Sequence, residues 1–146
     1  MALSIQQSEL EGVTILTLDG RITVGESNQL RDTVTELSSA GRIQIVMDLE
    51  NVDYIDSTGL GALVMMYSSL KKQKGALKLV HLNRRSIELL LLTKLHTIFE
   101  VFGDVQDAVN SFFPDRKITR FDILSFVQEQ ASDDEDEDEE DDEDDA

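Results

Sequence analysis

The chain has 146 residues, and its charge is concentrated at one end: of 30 acidic residues, thirteen are consecutive at positions 133–145, against 13 basic residues in the whole chain. The absence of cysteine excludes a disulfide framework and a thiolate metal site. The acidic run also argues against binding to nucleic acid, because it would repel phosphates.

Composition divides the chain into three regions. Residues 1–114 have about the commonest size of a single domain. Residues 115–131 form an amphipathic extension, which either packs back on the domain as an extra helix or presents an apolar face to a partner. Residues 132–146 contain the acidic run, which has no apolar side chain to bury, so we predict a disordered acidic tail. The apolar positions of the extension are Ile118, Phe121, Leu124 and Phe126 or Val127.

The first predicted elements are a hairpin and a helix. Residues 3–8 and 13–18 have the pattern of two strands, with a turn at Glu11 and Gly12. Ser27 is a plausible cap of the helix that follows. Three apolar residues mark one face of that helix: Leu30, Val34 and Leu37.

A buried strand and a second helix follow. Residues 43–49 form a short apolar run with β-branched side chains, which predicts a buried strand. Lysines just before Gly75 suit the C-terminus of the second helix, where cations are favourable. The apolar positions of that helix recur at helical spacing: Leu60, Leu63, Val64, Tyr67 and Leu70.

The remaining elements continue this alternation. Residues 76–82 and 98–102 predict two further strands, and Asp104 is the predicted cap of a fourth helix. Strands separated by helices of this length need crossover connections. We therefore predict an α/β fold, a mixed β-sheet with about four helices packed over it. The apolar positions are Ile87, Leu90 and Leu91 in the third helix, and Val105, Ala108, Val109 and Phe112 in the fourth.

The most informative segment, Asp56-Ser57-Thr58-Gly59-Leu60-Gly61, lies where the second helix begins. It has two interpretations. In the first, Asp56 or Ser57 is only the N-cap of the helix, the ordinary use of these residue types. In the second, Ser57 carries a phosphate, which the free N–H groups and the positive dipole at a helix N-terminus would favour.

Enzyme chemistry has little support in this sequence. A serine nucleophile needs a base, and the chain offers only His81 and His96, which we interpret as structural or surface residues. The segment is not a Gly-x-Ser-x-Gly elbow, and a phosphate-binding glycine loop with its lysine is absent. We predict a protein that is not an enzyme and holds no metal or cofactor. Three carboxylates near one strand end could in principle hold Mg²⁺, but strand-end and cap roles explain them more simply: Asp48, Asp53 and Asp56.

This segment and those around it closely resemble the STAS domain, and specifically the bacterial anti-sigma factor antagonists. The resemblance covers residues 3–113 and implies a STAS-like fold for residues 1–114. One departure is Lys94, where many members carry a glycine, because lysine adopts a left-handed helix-ending conformation less readily. The other matching segments are residues 15–23, 45–49, 52–56 and 99–104, with Ala108.

The resemblance implies a function in partner switching. In the family, an unphosphorylated antagonist binds an anti-sigma factor that is also a serine kinase, and so frees a sigma factor. The kinase phosphorylates the serine that aligns with Ser57, and a PP2C-type phosphatase restores it. Ser57 is thus the implied phosphorylation site. The predicted partner-binding residues are Asp56, Ser57, Thr58, Gly59, Gly61 and Met65.

Met65 is assigned to this surface because either it or Met66 should lie off the core-facing stripe of the helix, and methionine contacts are adaptable. Core filling is the alternative for both. Gly59 and Gly61 are predicted to keep the backbone open to a kinase. The resemblance implies no particular oligomeric state.

The competing function is a non-switching scaffold subunit of a signalling or transport complex. The intact acceptor serine favours the switch.

No apolar run is long enough to span a bilayer and no signal-peptide pattern opens the chain, so we predict a cytoplasmic location. The acidic run either solubilises the protein or mimics a polyanion for a basic partner. Contact of the tail in cis is also a possibility, with Arg116, Lys117 and Arg120 just upstream of it.

Overall fold

Five strands form one sheet in chain order in a computed structural model that describes residues 3–125. The predicted acidic tail therefore lies outside the described residues, as does residue 126 onward of the amphipathic extension. The strands are β1 (Ser4–Leu10), β2 (Val13–Ile22), β3 (Gln44–Ile55), β4 (Ala76–Val80) and β5 (Glu100–Phe102). The helices are α1 (Val24–Ser39), α2 (Ser57–Lys72), α3 (Arg84–Leu92) and α4 (Val105–Asn110), with a 3-10 turn at Leu95–Thr97.

The sheet is mixed, as predicted. Strands β1 and β2 are an antiparallel hairpin, whereas β2, β3, β4 and β5 pair in parallel. Parallel neighbours cannot be joined by a tight turn, so helices make the crossovers between them. The N-termini of α1 and α2 consequently lie side by side, each following the end of one of two paired strands.

Both faces of the sheet are buried. Because successive side chains of a strand point to opposite faces, the hydrophobic core consists of two clusters, one on each face. On one face, Ile45 and Met47 of β3 belong to the main core, which is closed by α1, α2 and α3. On the other face, Val46 packs with Val80 and Phe102 in a smaller cluster that is closed by α4. The helices therefore cover both faces of the sheet.

Strand β3 extends beyond the predicted end at residue 49. The polar pair Glu50 and Asn51 reads as a boundary, but irregularities in the pairing of β2 with β3 allow the ladder to continue past it. The final pair is Ile22 with Ile55. As a result, β3 runs up to the residue immediately before Asp56.

The start of α1 also differs from the prediction. Thr23, rather than Ser27, is the N-cap residue, and its backbone is extended. Ser27 lies inside the first turn, where its side chain is buried and its hydroxyl donates to the carbonyl oxygen of Val24 at 3.1 Å. The prediction for Ser27 was wrong because a serine within the first turn can satisfy its hydroxyl on the helix backbone.

Lys94 adopts the conformation that a glycine favours. Its backbone has φ 60° and ψ 16°, in the left-handed region, just before the 3-10 turn. The turn after α3 thus keeps a left-handed residue despite the lysine, at a cost in backbone energy that the packing around it must offset.

The described part of the extension returns to the sheet. The amide of Phe121 donates to the carbonyl oxygen of Val101 at 3.1 Å, and Ile123 is buried in the main core. Residues 123–125 begin a helical turn where the described chain ends. Within residues 3–125, no helix is long and apolar enough to cross a membrane.

Candidate functional site

Helix α2 is capped by Asp56. The Asp56 carboxylate accepts a hydrogen bond from the amide of Gly59 at 2.7 Å, and its backbone is extended, as an N-cap residue requires. The amide of Asp56 itself donates to the carbonyl oxygen of Ile22 at 3.3 Å. Of the two predicted candidates for the cap, the structure therefore selects Asp56, and Ser57 is left as the first helical residue.

Ser57 and Thr58 are exposed on the first turn of α2. The amides of Gly59 and Leu60 are taken by the side chain and the carbonyl oxygen of Asp56. Among the described residues, the amides and hydroxyls of Ser57 and Thr58 make no hydrogen bond. This leaves an exposed hydroxyl beside two N–H groups that can donate to an anion.

Gly59 is buried, in contrast to the surface role predicted for it. A Cβ atom at this position would lie 2.0 Å from the carbonyl oxygen of Ile22. Gly59 therefore allows α2 to pack closely against the end of β2, and its backbone is not open to a partner. Gly61 behaves differently, since it is exposed and a Cβ there would meet nothing within 4 Å.

Met65 lies on the exposed face of α2. Its side chain is 61% exposed, whereas that of Met66 is 4% exposed and fills the main core. One of the two methionines thus lies off the core stripe, as the helical spacing predicts. Thr58, Gly61 and Met65 follow one another at intervals of three and four residues, so they form one exposed stripe. We call Ser57 and this stripe the signature surface.

Helix α1 borders the signature surface. Met65 lines a cavity of about 200 Å³ together with Arg31 and Thr35 of α1. At the N-terminus of α1, Val24 is 67% exposed. The contact between the two helices therefore reaches the signature surface at Met65.

The N-terminus of α1 carries a feature that the sequence prediction missed. The hydroxyl of Thr23 donates to the carboxylate of Glu26, and this hydrogen bond lowers the pKa of Glu26. The signal was present as Thr-x-x-Glu, the spacing of a capping box, before an apolar helix. Glu26 is thus favoured as a carboxylate in the first turn of α1.

Neither histidine is hydrogen-bonded to Ser57 among the described residues. The His81 Nδ1 atom lies 2.9 Å from Asp48 Oδ1, and 3.9 Å from Glu50 Oε2. The His96 Nδ1 atom is buried without a partner among the described residues. Within residues 3–125, neither imidazole can act as a hydrogen-bonded base for Ser57 in this geometry.

The carboxylates that were predicted near one strand end do not form one group. Asp48 faces His81, Asp53 is exposed, and Asp56 caps α2. Within the described residues, the set that could hold a metal ion is instead Asp48, Glu50 and His81, whose ligand atoms lie within 4.8 Å of one another. The sequence predicted strand-end and cap roles for these three aspartates. That prediction fits Asp56, but it did not include the contact of Asp48 with His81.

The sequence of this chain is similar to those of known proteins. The family model for the STAS domain matches residues 4–108. An anti-sigma-B factor antagonist of Bacillus subtilis is 33% identical over 109 residues, which cover 75% of this chain and 99% of that protein. The family-model match includes the paired ends of β2 and β3 and the whole of α2.

Solved structures have the same fold. A Thermotoga maritima protein assigned as an anti-sigma factor antagonist is 24% identical, with a TM-score of 0.70, and the match covers 73% of this chain and 92% of that one. The Bacillus cell fate determinant SpoIIAA, solved in its phosphorylated form, is 15% identical with a TM-score of 0.60, and the match covers 75% and 99% of the two chains.

Proposed function

This chain belongs to the STAS domain family, and on that premise we propose that it is an anti-sigma factor antagonist whose binding is switched by phosphorylation of Ser57. The proposal is supported by the names of its relatives, among them the Bacillus subtilis antagonist that is 33% identical. It also agrees with the phosphorylated SpoIIAA structure, a protein of the same fold.

The observation that carries the proposal is the division of roles between Asp56 and Ser57. Because the Asp56 carboxylate caps the helix, the Ser57 hydroxyl has no structural bond to lose on modification. A phosphoserine would add about −1.5 to −2 charges. The N–H groups of Ser57 and Thr58, at the positive end of the helix dipole, favour such a charge. Phosphorylation therefore need not disturb the fold.

Phosphorylation would then prevent binding through its effect on the interface with the partner. In the unphosphorylated protein, the signature surface presents neutral hydroxyls next to the exposed side chain of Met65. A partner complementary to this surface would have to bury a near-dianion once Ser57 is modified. An unpaired buried charge costs several kcal/mol, which corresponds to a loss of affinity of about a hundredfold or more.

The partners follow from this scheme. We propose that the protein binds an anti-sigma factor with serine kinase activity and that a PP2C-type phosphatase removes the phosphate. We propose that the protein acts by binding and not by catalysis; in support, neither histidine of the chain hydrogen-bonds to Ser57 among the described residues. A cytoplasmic location is part of the proposal. Gly59 acts in packing rather than in direct contact with the partner.

Mass spectrometry of the protein after incubation with its cognate kinase and ATP tests the proposal. We expect one phosphate, on Ser57, and none in Ser57→Ala. Thr58→Ala is the matched control, because Thr58 is the neighbouring exposed hydroxyl, and it should still be phosphorylated. Unchanged phosphorylation of Ser57→Ala would transfer the assignment to Thr58. Binding without any phosphorylation would favour the non-switching scaffold.

A further inference from the structure

A groove runs beside the C-terminal half of α2, remote from Ser57. It has a volume of about 610 Å³ and lies between the exposed side of the helix and the end of the 3-10 turn, at Thr97 and Ile98. Its far end, at Lys71 and Lys72, lies about 20 Å along the helix from Ser57. We call it the α2 groove, and its lining residues are Val64, Tyr67, Ser68, Lys71, Lys72, Thr97 and Ile98.

The α2 groove is basic. Lys71 and Lys72 line it, Lys74 follows two residues later, and no acidic side chain is among the lining residues. All three lysines are exposed, and within residues 3–125 none of them forms a salt bridge. Lys71 instead points along Tyr67, with its Nζ 3.4 Å from the phenolic oxygen. The groove thus presents cations without carboxylate partners.

Two of the basic residues just before the tail in sequence already form ion pairs. Arg116 forms a bidentate pair with Glu11, with both N–O distances at 2.8 Å. Arg120 pairs with Glu100 at 2.9 Å. Two of the three basic residues expected to contact the tail are therefore already neutralised, and the lysines of α2 are the better anion site.

The described chain ends beside the α2 groove. Ile123 and Leu124, just before the end at Ser125, line a cavity that they share with Thr97 and Ile98. Thr97 and Ile98 also form one wall of the α2 groove. Seven residues, 126–132, separate Ser125 from the acidic run, and they can span up to about 25 Å.

We propose that the acidic run, residues 133–145, binds in cis to the lysines of the α2 groove. Charge complementarity, the position where the described chain ends and the short connecting length all favour this occupant over an external one. A tether of this length gives an effective concentration in the millimolar range, which makes even a weak electrostatic contact productive. The C-terminal end of a helix dipole is negative, so the attraction must come from the lysine side chains. This proposal is independent of the phosphorylation of Ser57.

The absence of cysteine allows a direct test on the full chain. A nitroxide attached to Ala146→Cys should broaden the amide signals of Ser68, Lys71 and Ile98 at low ionic strength, relative to the reduced label. Signals of α4, on the opposite face of the sheet, should keep their intensity. At 1 M salt the Debye length falls to about 3 Å, so the broadening should disappear.

Charge variants decide whether the lysines are responsible. Lys71→Gln/Lys72→Gln should abolish the broadening, whereas Arg85→Gln/Lys117→Gln removes the same charge from two exposed positions outside the groove and should preserve it. Broadening that survives Lys71→Gln/Lys72→Gln, or that is uniform over the surface, would overturn the proposal. So would broadening that appears when labelled and ¹⁵N-enriched chains are mixed, since that would indicate binding between copies.

Discussion

Gly59 packs against the carbonyl oxygen of Ile22, and this contact fixes the N-terminus of α2 on the end of β2. The same carbonyl oxygen accepts a hydrogen bond from the amide of Asp56. The phosphoacceptor proposed here, Ser57, is therefore presented by a backbone that is held on both sides. These backbone contacts hold the Ser57 hydroxyl at a defined position, although the hydroxyl itself takes part in none of them.

The first prediction concerns Gly59. Gly59→Ala should lower the stability by several kcal/mol or prevent folding, because the new methyl group would meet backbone that cannot move cheaply. Gly61→Ala is the matched control on the same helix. It should be neutral or stabilising by about 0.5–1 kcal/mol, since Gly61 is exposed with open space around it. Urea unfolding of the two variants measures both, and equal stabilities would contradict the packing role.

Removal of the cap is the second prediction. Asp56→Ala should destabilise the protein by about 1 kcal/mol, because the amide of Gly59 loses its acceptor. Asp56→Asn keeps an acceptor oxygen and should lose much less. Thermal unfolding followed by circular dichroism separates the two variants. A similar loss in both would mean that the negative charge of Asp56, and not its hydrogen bond, is what stabilises α2.

The third prediction separates folding from switching. Ser57→Asp should leave the melting temperature almost unchanged, because a negative charge at a helix N-terminus is tolerated or mildly stabilising. Its affinity for the anti-sigma factor should nevertheless fall about a hundredfold or more. Calorimetry compares this variant with the wild type and the phosphoprotein. Equal affinities in all three would reject an interface mechanism, and a large drop in melting temperature would indicate a folding effect instead.

The pH dependence of stability provides the fourth prediction. The hydrogen bonds from Arg116 lower the pKa of Glu11 below its ordinary value of 4.5. The pair therefore stabilises the fold above pH 4.5, and this contribution disappears as the pH falls through the lowered pKa. Glu11→Gln should be less stable than wild type at pH 7 and equally stable at low pH. Asp115→Asn, at a nearby exposed position, is the control and should show little difference at pH 7. A constant difference at all pH values would point to packing.

The acidic tail is the subject of the fifth prediction. Truncation after Ala131 should change the melting temperature little, because exposed charge contacts contribute about 0–1 kcal/mol and the run repels itself. If the tail also steers a basic partner, its removal should slow association at low salt and leave dissociation unchanged. Stopped-flow binding at two salt concentrations measures both rates. A large loss of stability would mean that the tail forms part of the folded core.

Local patterns determined the secondary structure and the place of the signature. Apolar residues two apart or three to four apart reflect the repeat of the backbone itself, so Ile45 with Met47 and Leu60 with Leu63 could be assigned from the sequence. The same helical repeat indicated that one of two adjacent methionines must face away from the core, and Met65 does. The motif with its serine at a strand-to-helix junction was visible for the same reason.

Contacts between distant segments decided the rest. The sequence left the cap to Asp56 or Ser57, and the structure gives it to Asp56. The amide of Asp56 also donates to the carbonyl oxygen of Ile22, which the pairing of β2 with β3 brings there. That pairing also buries Gly59. The contact of His81 with Asp48 joins residues 33 positions apart. Such contacts follow from how strands and helices pack in three dimensions, and a repeat of two or 3.6 residues carries no information about which element comes to lie beside which.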